Sequence, residues 1–361
     1  MKRKPLLVST IAILFLSAPA LGIPMYNVVD LGTPGIRSVA NAINDKGEVV
    51  GAVSSPDGSD SHAFVYRDGR MQDLNITFPN SAATAINDNG AITGRYNDFG
   101  INRAFTYDNA SGFMPLPSQG WGQVFTNDIN NQGRVVGVGV HNNQFRAFQS
   151  GPGASLTDLG TLGGPSSRAE AINEAGTVVG AAALPNNGGS HAFLYNGQMI
   201  DLGTLGGMDS IATDINDKGQ IVGASTLRQG GVHAFVYENG RMTDLGNFGS
   251  GTTAAQAINN NGVIVGDWFI GNTGRGFIYD GSLHNLNDLI DPLSDWQITQ
   301  ALDINDLGQI AVFGCDIAQC HALRLDPITT AEAPIPGTAL LLLSALAIPS
   351  LRQIGRVVKN Q

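Results

Sequence analysis

Four histidines recur at one place in this chain. His62, His191, His233 and His321 each precede Ala, and three of them open the triplet His-Ala-Phe. Arg103, Arg146 and Arg275 fill the same place elsewhere. Imidazoles at a repeated position are what a ring of metal ligands would use. Their place in the third extended segment of each repeat argues against it, because that segment lies well away from any common axis and two copies there are too far apart to share an ion. Histidine exchanged for arginine instead marks a hydrogen-bond donor at a loop end. Aspartates repeat too: Asp30, Asp73, Asp158, Asp201 and Asp244 each precede Leu, a pattern that anchors a loop rather than supplying a general acid. The repeated Asn-Asp-x-Gly turns offer oxygens, yet they lack the acids at alternate positions that a calcium loop uses. No cofactor is expected, and calcium is the one ion these turns could take.

Chemistry specific to a ligand should come from what does not repeat. Trp121, Trp268 and Trp296 stand in or beside the segments that link repeats or strands, with Gln119 and Gln123 around the first. An indole face edged by amides suits a sugar ring, which is apolar on its faces and polar at its rim. These three are the candidate ligand contacts, against the structural alternative that they fill gaps between repeats. Trp268 and Trp296 could be neighbours. Asp128, Glu170, Asp214 and Asp303 are acids that a hydrolase or lyase could bring together. Gly-x-Ser-x-Gly, His-Glu-x-x-His and phosphate-binding glycine loops are all missing from the sequence. Cys315 and Cys320, the only cysteines, read as a disulfide across a hairpin in an exported chain. Their spacing is not Cys-x-x-Cys, and two cysteines without clustered histidines are too few for zinc.

A repeat positions all of these residues. Ile-Asn recurs seven times, with Asn44, Asn87, Asn130, Asn173, Asn216, Asn259 and Asn305 spaced by 43 residues five times and by 46 once. Such a register means an array of one supersecondary unit, and a residue that recurs seven times builds the fold more readily than it catalyses. In the unit near Met208, segments 210–216, 220–224, 233–237 and 241–245 are rich in residues that suit strands. Asp-Lys-Gly and Glu-Asn-Gly punctuate them, supplying the positive φ that tight hairpins need. Four short antiparallel strands per unit predict an all-β, seven-bladed β-propeller, with a β-solenoid as the alternative. Four residues before each repeated Asn stand Ala40, Ala83, Thr126, Ala169, Ala212, Ala255 and Ala301, small enough for a strand at the axis.

The seventh unit has no fourth strand, since its third runs directly into Asp326-Pro327. The fourth-strand pattern occurs instead near the N-terminus, as Met25-Tyr26-Asn27-Val28-Val29-Asp30-Leu31-Gly32. The N-terminal strand is therefore expected to complete the last blade and close the ring, which leaves no free sheet edge.

The two ends read as export signals. Residues 1–22 combine Lys2, Arg3 and Lys4 with an apolar run and small-residue cleavage sites, a signal peptide for signal peptidase. The propeller is expected over 23–326, a linker over 327–336, and a membrane helix with a basic tail over 337–361. Residues 333–351 carry no charge and are long enough to cross a bilayer, with Arg352, Arg356 and Lys359 behind them. These six terminal basic residues leave 14 of the 20 against all 30 acids, a net charge of −16 for the body. Such a body repels nucleic acid and favours neutral glycans or cations.

The units carrying His-Ala-Phe after a Val-Val-Gly strand, and Asp-Leu-Gly-Thr-Leu-Gly-Gly at residues 201–207, resemble the HAF-type extracellular repeat family over about residues 25–326. Ala333-Pro334-Ile335-Pro336, the apolar run and the basic end are similar to a PEP-CTERM sorting signal. That resemblance implies an exosortase-type peptidase acting near Pro334–Pro336 and display at the cell surface or in the extracellular matrix. The expected function is a non-enzymatic binding or structural module, with extracellular polysaccharide as the candidate ligand. A carbohydrate-active propeller enzyme is the alternative.

Overall fold

A computed structural model describes residues 25–328. The expected leader, sorting motif and membrane helix lie outside the described residues. Among those described, 28 strands form seven four-stranded antiparallel sheets, and the only helical elements are two short 3-10 turns. In chain order the sheets hold residues 38–73, 82–115, 121–158, 167–201, 206–246, 252–285, and 297–327 joined by 26–30. These are blades 1 to 7 of a β-propeller. No described helix is long and apolar enough to cross a membrane.

The repeat signature becomes a set of contacts. Phe64, Phe105, Phe148, Phe193, Phe235, Phe277 and Leu323, the last residues of the His-Ala-Phe-type triplets, are completely buried. The small residues of the innermost strands pack equally tightly, with Ala40, Ala83, Ala169, Ala212, Ala255 and Ala301 at 0 % exposure. Glycine in the second strand is required by close approach: a Cβ at Gly180 would collide with the Arg168 carbonyl oxygen. A hydroxyl residue near the start of the first strand adds a second tie at four of the blade junctions. In blade 4, Ser167 Oγ accepts from the Ala147 amide of blade 3 and donates to the Gly160 carbonyl. Ser38, Ser210 and Thr253 make the same pair of bonds at other blade junctions.

Closure follows the pattern at the two ends. The strand Tyr26–Asp30 pairs antiparallel with Cys320–Pro327, setting Tyr26 opposite Pro327 and Asp30 opposite Leu323. Tyr26 is buried in the seventh-blade core, where desolvation and nearby Asp280 push its phenol up to about 12. Cys315 and Cys320 are disulfide-bonded across the hairpin of the same blade.

Candidate functional site

The axis of the ring is where seven copies of each residue converge, and its two ends differ. At the end formed by the turns after the first strands, the Asn side chains form a closed circuit. Each Asn Nδ2 donates to the backbone carbonyl of the Asn in the next blade, from Asn44 to Asn87 and on around to Asn305, which returns to Asn44, at 2.8 to 3.3 Å. Each Oδ1 in turn accepts from the backbone of its own turn, as Asn87 does from Asn89 and Ala91. All seven are buried. The Asn residues are thus architecture.

A second circuit lies one residue on. The backbone amides of Asp45, Asp88, Asn131, Glu174, Asp217, Asn260 and Asp306 each donate to the side chain of the next member, at 2.7 to 2.9 Å. Five carboxylates and two amides therefore rim a mouth of about 180 Å³. Burial raises the Asp45 carboxyl, with Asp88 and Asp306 repelling it from both sides. No group of three or more His, Cys, Asp or Glu among the described residues is arranged to hold a metal ion.

The opposite end is a funnel of about 310 Å³ lined by Asn41, Thr84, Asn127, Glu170, Thr213 and Gln256, with Arg95 at its side. These six are the residues that drop out of register in the first strands, between Ala40 and Ala42, for example, and between Ala169 and Ala171. A bulge turns one side chain away from the pleat, and here the turned side chains are amides, hydroxyls and one carboxylate. Asn41 and Asn127 donate to the Ala83 and Ala169 carbonyls of the following blade, which leaves their oxygens to face the funnel.

The expected acids are present but occupied. Asp128 accepts from the Ile129 and Ile172 amides, Asp214 from Ile215 and Ile258, and Asp303 from Ile304 and Ile43. Each thereby ties its blade to the next. Burial pushes Asp128 up to about 6 and Asp303 to about 7, while Asp214 is raised well above the ordinary range by burial and by Asp303. Asp267, unremarked in the sequence, does a similar job, binding the Ala301 amide and Gln256, and is raised to about 6 by burial. Glu170 pairs with Arg168 at 2.9 Å and accepts from Asn127.

The repeated histidines meet the repeated aspartates. His191 Nδ1 lies 2.8 Å from Asp201, His233 2.9 Å from Asp244, and His321 2.9 Å from Asp30. Arg146 faces Asp158 in the same way at 3.7 Å. The same aspartates accept the amides of Gly203, Gly246, Gly32 and Gly160, so they anchor the loop that leaves the blade.

The tryptophans are dispersed. Trp121 is only 8 % exposed, with His141 at 4.7 Å on its face and Phe148 edge-on. Trp268 stacks on Phe248 at 4.2 Å and donates to the Ser250 carbonyl. Trp296 lies against His321 at 5.1 Å. The three pack against separate hydrophobic clusters, and Trp268 and Trp296 each pair with a different ring rather than with each other. The packed rings come from neighbouring strands and, for Phe248, from a loop, which spacing along the chain does not reveal.

Comparison with known proteins gives the fold and little beyond it. Residues 204–326 match a family model described as a protein of unknown function (DUF3466). No curated protein matches the chain. The β-propeller domain of the Trilobed protease from Pyrococcus furiosus, described as having an open velcro topology, is similar at 9 % identity and a TM-score of 0.60, over 85 % of this chain and 99 % of that one. A puromycin-hydrolyzing peptidase from Mycobacterium tuberculosis is similar at 13 % identity and a TM-score of 0.58, over 88 % of this chain and 57 % of its own. YCF48, in a structure with a D1 peptide, is similar at 12 % identity and a TM-score of 0.54, over 88 % of this chain and all of that one. At such identities the likeness is one of fold.

Proposed function

We propose that this propeller is an exported, non-enzymatic binding or structural module of the cell surface or extracellular matrix, and that its ligand is extracellular polysaccharide. The observation that carries the reading is the state of its carboxylates. Asp128, Asp214 and Asp303 each have both oxygens hydrogen-bonded to backbone amides, and Glu170 is held by Arg168 and Asn127. A glycosidase needs two carboxyl groups free to act on substrate, about 5 to 10 Å apart. What the funnel offers instead is amide and hydroxyl groups, the chemistry of recognition. A body of net charge −16 turns away nucleic acid and suits a neutral polymer.

The leader over 1–22 and the tail over 333–361 supply the rest of the reading. The HAF-type repeats and the PEP-CTERM-like end imply signal peptidase and exosortase-type processing, and a membrane tether that is at least transient. No cofactor enters this function. A glycan array probed with the purified protein, read for both binding and turnover, tests it. Binding without product is the expected result, whereas product release would establish the enzyme alternative and silence across all glycans would leave only a structural role. Mass spectrometry of the mature protein tests the sorting step, with a C-terminus near Pro334 expected and an intact Gln361 against it.

A further inference from the structure

Trp121 is buried, and Trp268 and Trp296 each have one ring packed against them, but an aromatic surface also stands open elsewhere. A cleft of about 390 Å³ opens between blades 3 and 4, on the side of the ring that also holds the funnel. Val138 and Ala181 form its apolar walls, Phe145 stands 54 % exposed at its edge, and Ser166, Ser190 and Arg168 add polar groups. The hydroxyls of Ser166 and Ser190 make no hydrogen bond among the described residues. Arg168 is held through Nε by Glu170 at 2.9 Å, with its side chain 53 % exposed.

The position of that ion pair matters. Arg168 lines the cleft and Glu170 lines the axial funnel, and the two are bonded to each other along the first strand of blade 4. Cleft and funnel are thus linked by one donor–acceptor pair, which marks a path from one to the other. We propose that this path is the polysaccharide site, with one neutral pyranose unit stacked on Phe145 and adjoining units reaching Arg168, Glu170 and the funnel amides. The proposal rests on the polysaccharide reading above and names its location and ligand class.

The chemistry selects a neutral sugar. A pyranose buries the C–H groups of one face against an aromatic ring and turns its hydroxyls outward. The terminal guanidinium nitrogens of Arg168 are rigid donors, and Glu170 is an acceptor beside them, an arrangement matched to adjacent hydroxyls. Because Glu170 balances the charge of Arg168, the pair does not call for a carboxylated sugar, and the strongly acidic body opposes one.

The test uses the full-length protein and isothermal titration with neutral glucan and mannan hexasaccharides and with a uronate hexasaccharide. Phe145→Ala and Arg168→Gln are each expected to weaken binding of the preferred neutral hexasaccharide by about tenfold or more. Phe99→Ala, at a fully exposed aromatic on another blade, is expected to leave it unchanged. Phe145 and Arg168 are exposed enough that both variants should fold, which thermal melts verify. Full binding in both variants would overturn this location while leaving the polysaccharide reading intact. Tighter binding of the uronate would overturn the neutral assignment. Absence of binding to any saccharide by the unaltered protein would overturn the reading beneath it.

Discussion

The side-chain amide of Asn305 donates to the backbone carbonyl of Asn44 at 2.9 Å, joining residues 261 apart in the chain. That bond completes a ring in which every blade holds the next by the same pair of groups. Its members are buried, so removing one leaves donors and acceptors without water to replace them. Asn87→Ala would orphan the Asn130 carbonyl and the amides of Asn89 and Ala91. The expected cost is about 2 to 4 kcal/mol, a fall of roughly 3 to 6 °C in Tm by differential scanning calorimetry. An unchanged Tm would mean that the ring is a consequence of packing rather than a cause of it.

The buried aspartates make stability depend on pH in an unusual direction. Asp128 titrates at about 6 and Asp303 at about 7 in the folded protein, against an ordinary value of 3.8, so the folded state holds more protons than the unfolded state between these limits. Stability must then fall as pH rises from about 4 to about 7, and flatten above that. Asp303→Asn is expected to lower Tm overall, because its amide faces the Ile43 or Ile304 N–H, and also to flatten the slope over this range. Thermal melts from pH 4 to 8 on both proteins check this, and equal slopes would contradict it.

The disulfide closes a short loop that is already hydrogen-bonded. Asp316 accepts from Ala318 and Gln319 and donates its own amide to the Gln319 carbonyl. Chain-entropy reasoning for so small a loop gives about 2 kcal/mol. Cys315→Ser with Cys320→Ser should lower Tm by a few degrees and leave the far-ultraviolet circular dichroism unchanged.

Closure by residues 26–30 is the most exposed part of the architecture, because five residues cover the edge of the seventh blade. Deleting residues 25–31 should uncover the strand carrying Leu323 and Leu325 and drive aggregation, seen by light scattering. Placing the same segment after residue 327, through a tight turn, should restore a soluble monomer. A soluble, cooperatively melting deletion would show that the ring stands without its seam.

These relationships were legible to different degrees in the sequence. The blade count, the strand order and the closing strand follow from a register of 43 residues and from one missing strand, because repetition averages out local ambiguity. The role of the repeated His and Asp was also visible, since exchange with arginine already marked a donor. The funnel was not, because a bulge decides which side chain faces the axis, and strand propensity does not mark a bulge. Nor was the cleft: Phe145, Arg168 and Ser190 sit on three strands of two blades and share no spacing. The rings packed against the tryptophans were not legible for a related reason, since Phe248, His141 and His321 come from other strands or loops.

The proposal that the axial face binds sugar and leaves it intact is tested most directly by incubating the protein with a neutral polysaccharide and measuring saturable binding and new reducing or unsaturated ends in the same mixture. Saturable binding with no new ends above a protein-free control is the expected result. New ends that appear in proportion to protein, and vanish in Asp128→Asn or Glu170→Gln, would contradict it.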